Sequence, residues 1–242
     1  IITRRLPVYT QYVDNARCRT VSMSSITDED LQEIAEFIEA NYSKGGEYTY
    51  SPQPKRLRAS LGNQGAFVVS WRDGGIKAVL TNRRLHANLP GVGTIEVGYV
   101  DNLTVAPSCR GKGVAAGIIQ THLCHVYHLI PEREVHFFKR EGRRNPIVPA
   151  IEFTAHQYAG VVLPQPRSGV TLADKGDTRS IIDAVREHSG RAHLAVRMDE
   201  SQLLENFAAG NLHVIKHTHV NGLLHGLLFV RDQTVKTNSG QT

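Results

Sequence analysis

Cysteine is scarce in this 242-residue chain: there are three, Cys18, Cys109 and Cys124, an odd number without metal or redox spacing. That excludes a disulfide framework and implies reduced thiols inside a cell. Cys109 reads as a small half-buried residue, because no histidine stands beside it in sequence to make it a nucleophile. No stretch approaches the ~20 apolar residues that a membrane-crossing helix needs. The opening Ile-Ile-Thr-Arg-Arg lacks the cationic-then-apolar order of a signal peptide, so a soluble, cytoplasmic protein is expected. An initiator methionine is also missing, and the chain closes on the polar string 237–242, as in a clipped or processed reading frame. The net charge is +5, with basic clusters at 55–58, 83–84 and 139–144. No aromatic-interleaved or zinc-finger pattern accompanies them, so they read as solvated faces and no nucleic-acid partner is expected. What the chain has is 40% hydrophobic residues, enough to fill the core of one large domain, or of one domain and part of another.

The most informative stretch is 100–116: a β-branched run, a proline-bearing loop with two glycines, then a helix. In Arg110-Gly111-Lys112-Gly113 the glycines let the main chain approach a ligand closely. The helix opening near Val114 points unpaired N–H groups and its positive dipole end at any anion, and Arg110 and Lys112 add charge. A pyrophosphate fits such a corner. Ile118, Ile119 and Leu123 give the helix an apolar side that should cover a sheet. A Walker loop is excluded, because no Gly-Lys-Ser or Gly-Lys-Thr is present there, and Rossmann spacing fails as well.

Elsewhere the pattern alternates helices and strands. Thr27 caps a helix carrying Leu31, Ile34, Ala35 and Ile38 at helical spacing and running to about Tyr42. Ser51-Pro52 is expected to open a second helix that stops at Gly62. Strands are expected over 66–71, 76–89 and 94–105, forming an antiparallel meander that feeds the glycine loop. After a helix ending near Leu129 come a strand over 134–138, a basic connector and a short helix over 149–156. Beyond 160–164 follow a helix over 180–188, a strand around 193–197 and a helix over 201–208. A hairpin of 212–219 and 223–230 closes the chain, turning at Asn221-Gly222. Helix, helix, hairpin echoes the order of the first unit.

The Arg-Gly-x-Gly-x-Ala run resembles the coenzyme A signature of GNAT-type N-acyltransferases. Over about 31–232 the chain resembles the N-myristoyltransferase family, which consists of two GNAT-like halves. Asn41-Tyr42 and Tyr48-Thr49-Tyr50-Ser51 resemble that family's Asn-Tyr and Phe-x-Tyr-Ser. Asp101-Asn102-Leu103-Thr104-Val105 stands where the family has Asn-Phe-Leu-Cys-Val, and the run 159–164 matches its Ala-Gly-Val-Val-Leu-Pro junction. The chain departs from the family at 43–46, where an acidic loop is replaced by Ser-Lys-Gly-Gly, at 132–145, which resembles an insertion, and in its short second half. The resemblance implies an α+β fold of GNAT type, a mostly antiparallel mixed sheet flanked by helices, followed by a partial second repeat. Its implied division is an acyl-CoA-binding domain over 1–164 and the partial repeat over 165–242.

It also implies direct transfer of an acyl group from a CoA thioester to an amine, such as the N-terminal glycine of a peptide. Acyl-CoA, either myristoyl-CoA or acetyl-CoA, would be the co-substrate, held by Leu103, Thr104, Val105, Arg110, Gly111, Lys112, Gly113, Val114 and Ala115. A bulge at Asn102-Leu103 would turn two backbone N–H groups toward the thioester oxygen, a type of donor that lowers such barriers by ~3 kcal/mol each. Asp101 is the candidate base, and Glu96, on the opposite face by period-two alternation, is its rival. In the family the terminal carboxylate serves as base, but so short a second half is not expected to bring Thr242 to the site. Tyr48, Tyr50 and Tyr158 are candidate substrate contacts, and Tyr127 or Tyr158 a candidate acid for the thiolate, although core packing explains both. The i, i+3 series His122, His125 and His128 drifts around its helix without a carboxylate cluster, so no metal is expected. His217 and His219 share a strand face without a partner. Two other readings stay open: an N-acetyltransferase of a small molecule or protein, and a non-catalytic acyl-CoA-binding module.

Overall fold

The computed structural model describes residues 11–42, 48–89, 91–139, 168–191, 195–232 and 234–237. Its centre is a six-stranded sheet built on the two longest strands, β4 (Ile76–Leu89) and β5 (Gly93–Val105). On one side β4 pairs antiparallel with β3 (Phe67–Arg72), which in turn pairs with β1 (Cys18–Ser22). On the other side β5 pairs parallel with β6 (Val135–Phe138). Parallel neighbours need a crossover, and α3 (Val114–Leu129) supplies it.

Helices cover both faces. Helix α1 (Asp28–Asn41) starts where the Thr27 side chain accepts from the Asp30 N–H at 3.0 Å. Its Leu31, Ile34 and Ile38 pack with Val68 and Val79 and with Leu57 and Leu61 of α2 (Pro54–Leu61). The opposite sheet face, with Val69, Trp71, Ala78 and Leu80, takes Val114 and Ile118 of α3. Helix α2 begins at Pro54 rather than at Pro52: the Ser51 N–H donates to the Thr234 carbonyl, which holds 51–53 extended ahead of the helix. Gly62 closes the helix with φ +75, as expected.

The later part of the chain makes its own three-stranded sheet from β7 (Val170–Leu172), β9 (Leu212–Thr218) and β10 (Leu224–Arg231). Helices α4 (Thr178–Arg191) and α5 (Glu200–Ala208) lie with it. The hairpin turns at Asn221-Gly222, where the Asn221 side chain accepts from the Leu223 N–H at 3.1 Å. Two further strands return to the first part of the chain. Where β3 leaves the edge of β4, β8 (Ala195–Arg197) takes its place, with His86 opposite Arg197, and β11 (Val235–Thr237) pairs with β2 (Tyr48–Tyr50). Helix α5 is fastened to α2 by buried amides: Gln202 donates to the Leu61 carbonyl at 2.9 Å and Asn206 to the Ala59 carbonyl at 2.8 Å.

The arginines of the first two basic clusters are not simply solvated, and the third cluster lies outside the described residues apart from Lys139. Arg84 pairs with Asp199 and Glu96, Arg58 with Asp28, and Arg56 with Asp232, because acidic residues remote in sequence are folded against them. The short helix expected over 149–156 lies outside the described residues.

Candidate active site

The centre of β5 carries an irregularity. Its register with β4 passes from Thr81 opposite Asp101 to Val79 opposite Thr104, so Leu80 alone faces both Asn102 and Leu103. That is a β-bulge, and it sits just past the last β5–β6 pair, Val100 with Phe138. Beyond this point, among the described residues, no strand pairs with that edge of β5. Asn102 has φ +52, a left-handed conformation that asparagine tolerates better than most residues. Its side chain donates to the Thr81 hydroxyl at 3.0 Å, that hydroxyl donates to the Asp101 carbonyl at 3.1 Å, and the Thr104 hydroxyl donates to the Asn102 carbonyl at 3.1 Å. The bulge is therefore pinned from beneath by buried hydroxyls. Leu103 is exposed, at 38%.

Asp101 stands at the mouth of the bulge, and its carboxylate accepts the Asn102 N–H at 2.9 Å. Glu96 faces the other way and is bound to Arg133, whose side chain is fully buried, and to Arg84. It is neutralised within an ion cluster. On the Asp101 face lie Tyr50, Arg83 and Tyr99. Burial, then the Asp101 charge, pushes the Tyr50 phenol above its usual range. Tyr50 also meets Tyr42 edge-on at 5.5 Å. The side chain of Tyr48 and the whole of Tyr158 lie outside the described residues, and Tyr127 lies in the last turns of α3.

Following β5, a short 3-10 turn (Pro107–Cys109) leads into the glycine loop. Gly111 and Gly113 have φ +75 and +79, and among the described residues a Cβ on either would meet nothing within 4 Å. Arg110 is not free to swing: it donates to the Val105 carbonyl at 3.0 Å and to the Asn41 carbonyl at 2.9 Å, tying the loop to the end of α1. Gly113 precedes α3 without a side-chain cap, and among the described residues the first N–H of α3 to find a backbone acceptor is that of Gly117. Lys112, Val114 and Ala115 stand in this same turn. Those N–H groups at a helix start suit an anion.

The three α3 histidines point to three different partners. His122 is fully buried with its Nε2 at 2.6 Å from the Asn82 amide nitrogen, which also lies 3.1 Å from His136 Nδ1. His125 contacts the Thr20 hydroxyl at 2.6 Å, and His128 packs edge-on against Tyr127. Burial pushes His122 down to about 3 and His136 to about 4. His217 and His219 do have a partner: His225, which a register shift in β10 brings out, stacks on His219 at 5.0 Å and lies 5.7 Å from His217. Among the described residues, no group of His, Cys, Asp and Glu is arranged to hold a metal. Nor is any helix among them long and apolar enough to cross a membrane. Sequence reasoning missed Arg83 and Asn82, which carry no motif and become notable only when strand register sets them beside Asp101 and His122.

With this geometry in place, comparison with known proteins gives a consistent result. A family profile described as an acetyltransferase (GNAT) domain matches residues 22–130. No curated protein matches the chain. Saccharomyces cerevisiae N-myristoyltransferase with bound myristoyl-CoA is similar at TM-score 0.63 and 10% identity, over 89% of this chain and 60% of that one. A conserved Enterococcus faecalis protein of unknown function, described as a probable N-acyltransferase, is similar at TM-score 0.54 and 12% identity, over 89% of this chain and 55% of the other. This chain thus spans about 60% of the length of that yeast enzyme. Likeness at such identities establishes the fold. The chain has a GNAT-type fold, an α+β mixed sheet flanked by helices, and its residues 22–130 are similar to acetyltransferase (GNAT) domains.

Proposed function

We propose that this chain is an acyl-CoA-dependent N-acyltransferase in which the amine attacks the thioester directly. The observation that carries this reading is the bulge at Asn102-Leu103, lying where β6 has left β5 and five residues ahead of the turn into the glycine loop. The pyrophosphate of coenzyme A would lie against Gly111, Lys112, Gly113, Val114 and Ala115, with Arg110 bracing the loop. Thr104 and Val105 would line the path from there to the bulge. The Asn102 N–H is engaged by Asp101, which leaves the Leu103 N–H as the donor for the thioester oxygen as it becomes an oxyanion. Asp101, held by that same bond, would take the proton from the attacking amine. The new C–N bond forms as the C–S bond breaks, and the thiolate leaves with coenzyme A.

The finer reading, an enzyme similar to N-myristoyltransferase acting on an N-terminal glycine, is supported by the fold likeness and by the Ala-Gly-Val-Val-Leu-Pro run. A shorter acyl donor is favoured by a different observation. The loop reads Arg110-Gly111-Lys112-Gly113, which resembles ordinary acetyltransferases more than the N-myristoyltransferase family's own loop. Residues 165–242 fit a partial second repeat in this scheme, and the acyl acceptor would contact Tyr50.

Calorimetric binding and turnover with acetyl-CoA and myristoyl-CoA, with an N-terminal glycine peptide and free glycine offered in turn as acceptors, test the reading. Turnover with one donor assigns the chain length; binding without turnover makes the chain an acyl-CoA-binding module. Gly113→Val should weaken acyl-CoA binding by tenfold or more, because a branched side chain is strained at φ +79. Unchanged affinity in a folded variant would remove the loop from the site.

A further inference from the structure

Arg83 has no obvious structural duty. It sits on β4 directly opposite Tyr99, on the same sheet face as Asp101, and its guanidinium lies over the Tyr99 ring at 4.7 Å. Its Nε is buried without a hydrogen-bond partner, and among the described residues the side chain makes no ion pair. The neighbouring Arg84 also has a buried Nε without a partner, but its terminal nitrogens pair with Asp199 and Glu96, and those of Arg83 meet no carboxylate among the described residues. Arg83 is also near a second cation: burial first, then the Arg231 charge, lowers its pKa, while Asp101, Tyr99 and Tyr50 act in the other direction. Arg231 lines a shallow surface cleft with Tyr50 and Asn211, and Arg83 and Asp101 lie outside that lining. The carboxylate of Asp101 accepts the Asn102 N–H and makes no ion pair with Arg83, although its charge acts on it.

A charged donor buried without an acceptor is costly, and the cost is relieved when a ligand supplies the acceptor. Guanidinium forks match carboxylates well, with two parallel N–H···O bonds. Tyr99 covers one flat side of Arg83, and among the described residues no acceptor is bonded to its Nε. We propose that Arg83, assisted by Arg231, binds a carboxylate on the acyl acceptor, which is then a small amino-carboxylate whose amine is directed to Asp101. This rests on the acyltransferase reading above and narrows its acceptor class. The distribution of charge fits: the positive pair meets the carboxylate, and the negative Asp101 meets the amine.

The test pairs acceptors that differ in that one group. With the acyl-CoA that turns over, glycine and other free amino acids are compared with their carboxamides for wild type, Arg83→Gln and Arg83→Lys. The expected result is a KM at least tenfold lower for the acid than for the amide in wild type. That preference should collapse toward one in Arg83→Gln and return in part in Arg83→Lys. Equal KM values in wild type, or a preference that survives in Arg83→Gln, would overturn the proposal. A second measurement does not depend on turnover: the Nε–Hε resonance of Arg83, assigned by its loss in Arg83→Lys, is followed while glycine, glycinamide and inorganic phosphate are added to the unmodified protein. A saturable shift with glycine alone supports the carboxylate site even if no acceptor is acylated, in which case only the acyltransferase reading fails. No shift with glycine, or an equal shift with phosphate, rejects it.

Discussion

Asn102 is the residue on which the geometry of the candidate site turns. A left-handed residue inside a strand is tolerable here because its amide side chain is fixed to Thr81 and its carbonyl to Thr104. Thr81→Val keeps the shape of the side chain but strands the Asn102 amide in the interior. It should destabilise the fold by about 1–3 kcal/mol, measured by urea unfolding, and lower kcat for acyl transfer more than it alters acyl-CoA affinity. The bulge itself was readable only by resemblance to a known family. Period-two alternation runs through 94–101 without warning, and nothing local marks where a strand gains an extra residue. Arg83 was misread for a related reason: in sequence it belongs to a basic pair, whereas its environment is made by Tyr99 across the ladder and by Arg231 far along the chain.

At the scale of elements, α3 joins the glycine loop to a buried polar layer. His122 and His136 share the Asn82 amide, with Arg133 close by, and His125 faces out toward Thr20 and Asn15. The folded chain holds His122 neutral down to about pH 3 and His136 down to about 4, against an ordinary value of 6.5. Between those limits the unfolded chain binds more protons, so the stabilisation present above about 6.5 is lost as pH falls through 4 toward 3. Each imidazole adds a slope of up to about 1.4 kcal/mol per pH unit. Urea midpoints measured from pH 7 to 4 should fall accordingly, and His122→Gln should flatten the decline. Helix α2 offers a sharper case. Its last carbonyls end inside the protein and are satisfied by Gln202 and Asn206. Asn206→Leu leaves the Ala59 carbonyl without that donor and should cost about 1–3 kcal/mol, with hydrogen exchange rising in the last turn of α2. The long elements were legible from sequence because their apolar period repeats over many residues: α1, α3, β4 and β5 stand within a residue or so of their expected limits. Strands β1, β2, β7 and β11 were not, since runs of three to five residues become strands only through the neighbour that pairs with them.

Across the whole molecule, the chain closes on itself near the proposed acceptor site. The β11–β2 pairing, the Lys236–Glu39 contact at 2.8 Å, the Arg56–Asp232 pair and the Ser51–Thr234 bond all bring 232–237 against the segment that carries Tyr50. These ion pairs are partly exposed, and each contributes no more than about 1 kcal/mol. Their joint effect is positional: without β11, the three-residue strand β2 has no ladder partner, and Tyr50 loses the frame that holds it near Asp101 and Arg83. The glycine loop is tied down independently, through Arg110 to Val105 and Asn41. Removing residues 232–242 should therefore raise the acceptor KM severalfold and abolish exchange protection at 48–50, while calorimetric acyl-CoA affinity stays within about twofold. A comparable loss of acyl-CoA affinity would instead mean that the tail supports the nucleotide loop, and that the two halves of the site are coupled through the sheet rather than built separately.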